Sequence, residues 1–368
     1  MELPLIGNYK ELFIKDIPLI DVRAPVEFSQ GAFPQSNNLP LMNDEERHQV
    51  GIRYKEQGQD DAIELGHELV KDAIKQQRIS DWSDFTLQNP QGALYCFRGG
   101  LRSKISQQWI YEQTGTLYPR VEGGYKAMRN FLLEEIETAA SYFMPFIIGG
   151  RTGSGKTLLL DKLDHKVDLE KLYQHRGSAF GNYATPQPSQ IDAENNLSIA
   201  LLKHRNNQTQ KIVVEDEAAN IGSRQVPTSW FELMKSSPLI LLETELEQRI
   251  DNIFNEYITD SLQDYLTVHD HESGFEIWAG KLLESLKRIQ RRLGGQRYQQ
   301  AHKLMFNAIE QHKQLDNPEK HKAWIQFILQ DYYDPMYDYQ LSQKTDRVIF
   351  QANEQDTLQF LSDKHHII

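Results

Sequence analysis

The residues of this chain with the clearest chemical potential surround its one cysteine, Cys96. Residues 95–103 read Tyr-Cys-Phe-Arg-Gly-Gly-Leu-Arg-Ser and follow a short apolar run. This pattern predicts a strand, a tight loop and the start of a helix. Backbone N–H groups of such a loop converge on one point, where the helix dipole adds positive potential. We therefore predict an anion site that favours the thiolate form of Cys96, with Arg98 and Arg102 adding positive charge.

Two chemistries fit this loop. Cysteine, five residues and arginine describe the loop of cysteine-dependent phosphatases, although Tyr95 stands where that class usually has histidine and no general acid can be assigned. Upstream, residues 17–23 read Ile-Pro-Leu-Ile-Asp-Val-Arg, which resembles the opening of a rhodanese domain. In that family the Asp-Val-Arg strand lies beside the cysteine strand, so Arg23 is a candidate neighbour of the site. The typical rhodanese loop is one residue shorter, which suggests a larger, phosphate-sized oxoanion here.

A second anion site is predicted at residues 150–157, which read Gly-Arg-Thr-Gly-Ser-Gly-Lys-Thr and match the phosphate-binding loop pattern. The strand Phe146–Gly149 precedes the motif and the helical run Lys156–Leu163 follows it, as the pattern requires. Lys156 would meet the outer phosphate oxygens, and the Thr157 hydroxyl would hold Mg²⁺. The predicted phosphate-binding residues are Gly150, Gly153, Ser154, Gly155, Lys156 and Thr157.

A phosphate-binding loop needs an acidic partner at the end of a second strand. Residues 211–217 read Lys-Ile-Val-Val-Glu-Asp-Glu, a strand that runs into carboxylates. Either Glu215 or Asp216 is then the acid on the metal side, and we assign Asp216 with Thr157 to Mg²⁺. Residues 175–181 read His-Arg-Gly-Ser-Ala-Phe-Gly. They predict either a loop that faces the phosphates, through Arg176 and Ser178, or a simple surface loop.

Beyond residue 243 the spacing of apolar residues predicts helices at Glu245–Tyr257, Phe275–Leu293, Gln296–Gln314 and Pro318–Leu329. A group of basic residues on and after the second of these is a candidate contact for an RNA backbone: Lys281, Arg288, Arg291, Arg292 and Arg297. A solvated helix face is the ordinary alternative. The tyrosines of residues 332–339 could stack on bases or on an apolar substrate tail, or close the core.

Length and composition set the outer bounds. The chain has 368 residues, 39% of them hydrophobic and 25% charged, and a formal net charge of −12. This length suits two domains, and the acidic balance confines any nucleic-acid contact to a patch. One cysteine excludes an intramolecular disulfide framework and fits a reducing compartment. The opening residues show no secretory pattern and no apolar run approaches a membrane span, so we expect a cytoplasmic protein.

The fold class expected from these patterns is α/β. Residues 1–140 are predicted to form a rhodanese-like α/β domain, and residues 141–368 a P-loop NTPase-like parallel-sheet domain with a largely helical C-terminal part. Further elements are predicted as strands Leu19–Val22, Ala93–Cys96, Leu117–Val121, Leu239–Leu242 and Val348–Phe350, and as helices Glu64–Gln77 and Leu101–Glu112.

Taken together, the motifs closely resemble the tRNA 2-selenouridine synthase family over essentially the whole chain. The resemblance rests on the Cys96 loop, residues 150–157, residues 175–181, the Val-Glu-Asp-Glu run and the Tyr-Tyr-Asp-Pro-Met-Tyr run. It implies a bacterial enzyme that replaces the sulfur of 2-thiouridine at the tRNA wobble position with selenium from selenophosphate. It also implies that the reaction passes through S-geranyl-2-thiouridine, made from geranyl diphosphate by the same enzyme.

The resemblance assigns roles to the two sites. The P-loop domain would bind geranyl diphosphate with Lys156, Thr157 and Mg²⁺. Cys96 would accept selenium as a selenosulfide or otherwise handle selenophosphate, while Arg98 and Arg102 hold the phosphate. Another class remains open, a nucleotide hydrolase or kinase whose rhodanese-like part only binds partners.

Overall fold

The computed structural model describes residues 3–365 and divides into two compact units. The first comprises the residues up to Ala139 together with Ser189–Asn207, and the second comprises Ala140–Pro188 and the residues from Gln208 onward. In the part of the chain that the structure describes, no helix has the length and apolar character needed to span a membrane.

The first unit is built on a parallel sheet that has five strands within the described residues. They are Leu5–Ile6 (β1), Leu19–Asp21 (β2), Ser36–Asn38 (β3), Ala93–Tyr95 (β4) and Arg120–Val121 (β5). Their order is β1-β5-β4-β2-β3. Asp21 of β2 pairs with Tyr95 of β4, so Cys96 leaves the sheet at the shared carboxyl edge of two central strands. Residues of β2 and β4 are buried throughout, as expected of a parallel sheet covered on both faces.

Helices surround this sheet. They are Tyr9–Ile14 (α1), Pro25–Gln30 (α2), Asp44–Gln57 (α3), Gln59–Leu69 (α4), Asp72–Gln88 (α5), Leu101–Thr114 (α6), Gly124–Tyr142 (α7) and, from later in the chain, Gln190–Asn206 (α10). The single helix predicted at Glu64–Gln77 is wrong, because the chain leaves the helical conformation at Val70 and Lys71. Val70 is buried there in a cluster with Ile79 and Trp82.

The second unit contains a parallel sheet and a short antiparallel pair. The strands are Met144–Gly149 (β6), Lys166–Val167 (β7), Lys211–Glu215 (β8), Asn220–Ile221 (β9), Arg224–Gln225 (β10), Leu239–Leu242 (β11) and Val348–Ala352 (β12). The parallel sheet has the order β12-β11-β6-β8-β7, and β9 pairs with β10. Because β6 and β8 are neighbours, Gly149 and Glu215 end adjacent strands at one edge of the sheet.

The rest of this unit is mainly helical, as the sequence predicts. The helices are Lys156–Leu160 (α8), Leu169–Leu172 (α9), Thr228–Ser236 (α11), Leu246–Phe254 (α12), Ser261–Val268 (α13), His271–Leu293 (α14), Gly295–Leu315 (α15), His321–Ile328 (α16), Asp334–Ser342 (α17) and Glu354–His365 (α18). Asn255–Asp260 and Leu329–Tyr333 are π-helical segments, and Pro318–Lys320 and Thr345–Arg347 are 3-10 turns. An apolar cluster that includes Trp278, Met305 and Trp324 joins α12 to α16.

Candidate active sites

The loop of residues 150–157 connects β6 with α8. Gly153 and Gly155 adopt φ angles of +79° and +83°, a conformation that side chains other than glycine rarely take. At Gly153 a Cβ atom would also lie 2.7 Å from a carbonyl oxygen of α12. Lys156 Nζ lies 3.3 Å from the carbonyl oxygen of Gly150, on the opposite side of the loop. The loop therefore has the backbone and the lysine that a phosphate group requires.

Side chains of α12 and of the segment before it fix this loop. Three consecutive loop carbonyls accept hydrogen bonds: Thr152 from Arg249 Nε at 2.9 Å, Gly153 from Asn252 Nδ2 at 2.8 Å, and Ser154 from Thr244 Oγ1 at 2.8 Å. Arg249 is 3% exposed and also pairs with Asp334 of α17 at 2.5 Å. These contacts engage the loop carbonyls, which favours a conformation whose N–H groups remain able to bind an anion.

Three glutamates form an acidic cluster beside the loop. Carboxylate oxygens of Glu170, Glu215 and Glu217 lie within 4.8 Å of one another, and Thr157 Oγ1 donates to Glu170 Oε2 at 3.4 Å. Burial raises the pKa of all three carboxyl groups, and the charge of Glu170 raises the pKa of Glu215 and Glu217 further. Glu215 Oε1 is buried and accepts no hydrogen bond from the described residues. A divalent cation would satisfy this oxygen and neutralise the cluster, so these residues and Thr157 fit Mg²⁺.

The segment of residues 175–181 borders this cluster. Gly177 has a φ angle of +64°, and a Cβ atom there would lie 2.1 Å from a carboxylate oxygen of Glu170 and 2.9 Å from one of Glu217. Ser178 Oγ accepts a hydrogen bond from the Tyr257 hydroxyl at 2.6 Å. The structure thus places the segment beside the phosphate loop and its glutamates, which favours the first of the two interpretations of the sequence over a simple surface loop.

Arg176 lies in the same segment, but its charge is shared with other groups. Its guanidinium donates to Asp264 at 2.7 Å, lies 3.8 Å from Glu256 and stacks over the Tyr183 ring at 3.9 Å. Burial raises the pKa of Glu256 to about 8, with a further contribution from Glu170. Arg176 therefore balances acidic groups around the cluster and also borders the space above the loop.

Asp216 occupies a different position from its neighbour in sequence. Its carboxylate oxygens lie 2.7 and 2.8 Å from Lys344 Nζ, and it does not belong to the three-glutamate cluster. The geometry therefore disfavours the assignment of Asp216 with Thr157 to Mg²⁺ that we made from the sequence, and it favours Glu215, which lies in the cluster that Thr157 contacts through Glu170. Asp216 directly follows β8, and successive residues of an extended segment point to opposite faces, which explains why the adjacent acids have different partners.

A cavity of about 810 Å³ lies over the loop. One part of its wall is formed by the loop, by Lys156 and Thr157, and by Glu170 and Glu217. The remaining wall includes a group of aromatic and apolar side chains: Phe231, Met234, Tyr257, Tyr333, Met336 and Tyr337. The tyrosine-rich run thus contributes to the cavity wall as well as to the core, where Tyr332 and Tyr333 are buried. This space suits a ligand with phosphate groups at one end and an apolar or aromatic body at the other.

The Cys96 loop in the first unit is held by the start of α7. The carbonyl oxygens of Cys96 and Phe97 accept hydrogen bonds from the backbone N–H groups of Tyr125 and Lys126, each at 2.9 Å. At Gly124 a Cβ atom would lie 2.3 Å from the Cys96 carbonyl oxygen. The thiol itself is 3% exposed and lies 3.2 Å from Ser103 Oγ, in the first turn of α6. The predicted arrangement of a strand, a loop with Cys96 and the start of a helix is therefore present as β4, the loop and α6.

The three arginines predicted near Cys96 have different surroundings. Arg102 pairs with Glu27 at 2.6 Å. Arg23 is 2% exposed, pairs with Asp21 at 2.6 Å and stacks over the Tyr125 ring at 3.8 Å. These two guanidinium groups are held by carboxylates and brace the surroundings of the loop. Arg98 is exposed, and among the described residues no carboxylate pairs with it, which makes it the arginine best placed to receive an anion from solution.

The basic residues of α14 and of the start of α15 also differ in whether a carboxylate pairs with them. Lys281 pairs with Glu284 at 2.8 Å, and Arg297 pairs with Asp331 at 3.3 Å. Arg288 donates to the carbonyl oxygen of Ala179, within the segment that borders the phosphate loop. Among the side chains that the structure describes, no carboxylate pairs with the exposed Lys287, Arg291 or Arg292. A concave surface is lined by three basic residues, a glutamine and two glycines: Lys287, Arg288, Gln290, Arg291, Gly294 and Gly295. Lys287 and Arg291 of this surface are thus more available to an RNA phosphate than Lys281, which is already paired with Glu284.

Sequence reasoning missed several residues of the phosphate site. Glu170 comes from the short helix α9, and no motif surrounds it. Arg249 and Asn252 come from an amphipathic helix whose pattern indicates only a buried face. Lys344, the partner of Asp216, lies 128 residues away from it. Only Glu217 carried a signal, because it belongs to the acidic run that follows β8.

A parallel α/β unit with a phosphate-binding loop and neighbouring carboxylates defines a P-loop protein. Residues 143–367 match the family model described as the tRNA 2-selenouridine synthase AAA domain. Proteins named tRNA 2-selenouridine synthase match nearly the whole chain. That of Bordetella petrii is 47% identical over 97% of this chain and 96% of its own length, and that of Sulfurovum sp. is 46% identical over 98% and 99%. That of Marinobacter nauticus is 49% identical over 94% of each.

The chain therefore belongs to the tRNA 2-selenouridine synthase family, which confirms the family resemblance of its motifs. A solved N-terminal domain of a protein from Clostridium difficile 630 also matches, at 30% identity over 35% of this chain and 98% of that chain. Its TM-score of 0.31 is too low to bear on the fold.

Proposed function

We propose that this protein converts 2-thiouridine at the wobble position of tRNA into 2-selenouridine, through S-geranyl-2-thiouridine, with geranyl diphosphate and selenophosphate as the other substrates. Relatives named tRNA 2-selenouridine synthase support the overall reaction. The observation that carries the route is the cavity over the phosphate loop, in which this loop lies beside an apolar and aromatic wall. We expect the reaction to take place in the cytoplasm, where tRNA is found.

The first step is geranyl transfer in the second unit. The sulfur of 2-thiouridine attacks C1 of geranyl diphosphate, a C–S bond forms, the C–O bond breaks and diphosphate leaves. Lys156 and the loop N–H groups stabilise the charge that develops on the leaving diphosphate. When bound by Thr157 and the three glutamates, Mg²⁺ would supply further neutralising charge. The aromatic wall around Tyr333 and Tyr337 would hold the hydrocarbon chain away from water.

The second step is selenium transfer, which we assign to the Cys96 loop. The loop N–H groups and Arg98 hold the phosphate of selenophosphate. Attack of the Cys96 thiolate on phosphorus breaks the P–Se bond and releases selenide, and water then cleaves the S–P bond to give phosphate. Direct transfer of selenium to the cysteine as a selenosulfide would leave phosphorus as phosphite, and formation of phosphate would then need an external oxidant. Selenide attacks C2 of the geranylated base, and geranyl thiol leaves. Alkylation is needed because a thiocarbonyl sulfur is a poor leaving group.

The test is mass spectrometry of nucleosides from 2-thiouridine tRNA incubated with the protein, geranyl diphosphate, Mg²⁺ and selenophosphate, with one component omitted at a time. We expect the geranylated base without selenophosphate and 2-selenouridine once it is added. Lys156→Ala should lose geranyl transfer but still convert tRNA that is already geranylated, and Cys96→Ala should do the reverse. Lys162→Ala, a change at an exposed lysine paired with Glu354, is the control and should retain both steps.

A nucleotide hydrolase is the second candidate, because a cavity of about 810 Å³ with an aromatic wall also admits a nucleoside triphosphate. Rapid ATP or GTP hydrolysis that needs no tRNA, together with unchanged thiouridine in every incubation, would overturn the proposed reaction in its favour.

A further inference from the structure

The first unit contains an apolar cavity of about 240 Å³ between α3, α4 and α6. Aliphatic and aromatic side chains form most of its wall: Leu41, Met42, Val50, Ile63, Ile105 and Trp109. Tyr54 and Leu101 also line it and are 56% and 43% exposed, so the cavity opens to solvent. Neither reaction step, as described above, involves this cavity.

The cavity adjoins the Cys96 loop. Leu101 and Arg102, the first residues of α6, line it, and they directly follow the loop in sequence. Cys96 itself packs in the same apolar cluster as Leu41, Met42 and Trp109 of the cavity wall. A ligand in the cavity would therefore lie against the helix start that carries the Cys96 site.

The size and the chemistry of the wall restrict the ligand. A buried cavity of about 150 Å³ with a similar wall binds benzene, which has six carbons, so about 240 Å³ would hold about ten. The Arg102 guanidinium is already paired with Glu27. A ligand that needs no polar partner within the cavity is a hydrocarbon chain of about this length.

We propose that this cavity holds the geranyl chain of S-geranyl-2-thiouridine tRNA while the modified base reacts at the Cys96 loop. This inference rests on the function proposed above. Selenium transfer breaks the C–S bond and releases geranyl thiol, so a hydrocarbon site beside Cys96 holds the leaving group. It also selects the geranylated base over unmodified 2-thiouridine, because only the former fills the cavity.

Binding to the full-length protein tests this without any turnover. The probes are two anticodon stem-loops, one with S-geranyl-2-thiouridine and one with S-methyl-2-thiouridine. We expect the wild-type protein to bind the geranyl probe at least tenfold more tightly. Gly66 lines the cavity on α4, and a Cβ atom there would meet only Val50, at 3.9 Å. Gly66→Leu should fill the space and reduce the preference to about twofold or less.

Gly51→Leu is the matched control, because Gly51 is also a helical glycine, lies outside the cavity and has open space around it. It should keep the wild-type preference. An equal geranyl preference in Gly66→Leu and Gly51→Leu would overturn the inference. A geranyl preference that depends on Gly66 in a protein that produces no selenouridine would support the cavity and contradict the proposed reaction.

A cross-linking measurement on the wild-type protein covers the case in which Gly66→Leu fails to fold. The geranyl probe then carries a diazirine on its chain. Cross-links to residues 41–70 or 101–109 support the cavity, and cross-links only to residues of the second unit contradict it.

Discussion

Gly177 shows how closely the backbone approaches the glutamates of the phosphate site. Gly177→Ala would place a methyl group 2.1 Å from Glu170 Oε1 and keep a strained φ angle of +64°. We expect Glu170 to move, so that Mg²⁺ binding and geranyl transfer each weaken by about tenfold or more. Gly115→Ala is the control, because its φ angle is +71° and it has open space. Both variants should lose about 1–2 kcal/mol of stability from backbone strain. Equal Mg²⁺ affinities by calorimetry would contradict the assignment of Glu170.

The raised pKa values of the glutamates lead to a second expectation at the scale of residues. Burial, followed by repulsion from Glu170, raises the pKa of Glu215 and Glu217 above that of an ordinary glutamate. A cation must displace any proton held there, so Mg²⁺ affinity should fall as the pH falls from 8 to 6, by up to about tenfold per pH unit for each proton displaced. Ordinary carboxylates, with a pKa of about 4.3, would show no change in this range. Glu217→Gln should flatten the calorimetric pH profile, and an unaltered slope would refute this account.

At the scale of elements, two aspartates of α17 test how far ion pairs fix the phosphate loop. Asp334→Asn leaves the guanidinium of Arg249, which is 3% exposed, without its carboxylate. We expect a loss of about 3 kcal/mol in the free energy of unfolding, because a buried charge becomes unpaired. Asp338→Asn, one turn later, breaks an exposed ion pair with Arg151. The side chains of Arg151 and Asp338 are 46% and 53% exposed. This substitution should cost less than about 1 kcal/mol. Urea denaturation of both variants decides, and similar losses would show that the buried pair does not hold the loop.

The elements themselves were largely predictable where their signals are local. The strand before the phosphate loop, the loop and the strand Lys211–Glu215 all depend on short patterns of apolar residues and glycines, and all are present. The helix predicted at Glu64–Gln77 is wrong because burial of Val70 interrupts a continuous polar and apolar spacing. Amphipathic spacing records which residues can face a core, but not where a tertiary contact ends the helix.

At the scale of the molecule, sequence patterns do not show which distant segments meet. Helix α10 follows the phosphate loop in sequence but packs in the first unit, where Ile199 and Leu202 join the cluster of Leu12 and Leu132. Its apolar residues would equally suit a helix on the second sheet. The partners of the candidate sites, such as Glu170 and Lys344, are hidden for the same reason, since long-range packing decides them. The two anion-binding loops could be predicted from the sequence because the residues of each loop are contiguous in the chain.

Two buried histidines should make the free energy of unfolding of the second unit depend on pH. Burial lowers the pKa of His321 to about 3 and, with the charge of nearby Arg288, that of His175 to about 4. Unfolded histidine titrates near 6.5, so the unfolded chain takes up protons first as the pH falls. The free energy of unfolding should then decrease by about 1.4 kcal/mol per pH unit for each such histidine, from about pH 6.5 down to its folded pKa.

His321→Gln keeps an acceptor for Trp324 Nε1 and removes one titrating group. Urea denaturation at pH 6, 5 and 4.5 should show a slope shallower by that amount, and His48→Gln, at an exposed position in the first unit, is the control substitution. Parallel slopes for the wild-type protein and His321→Gln would mean that His321 is protonated in the folded state.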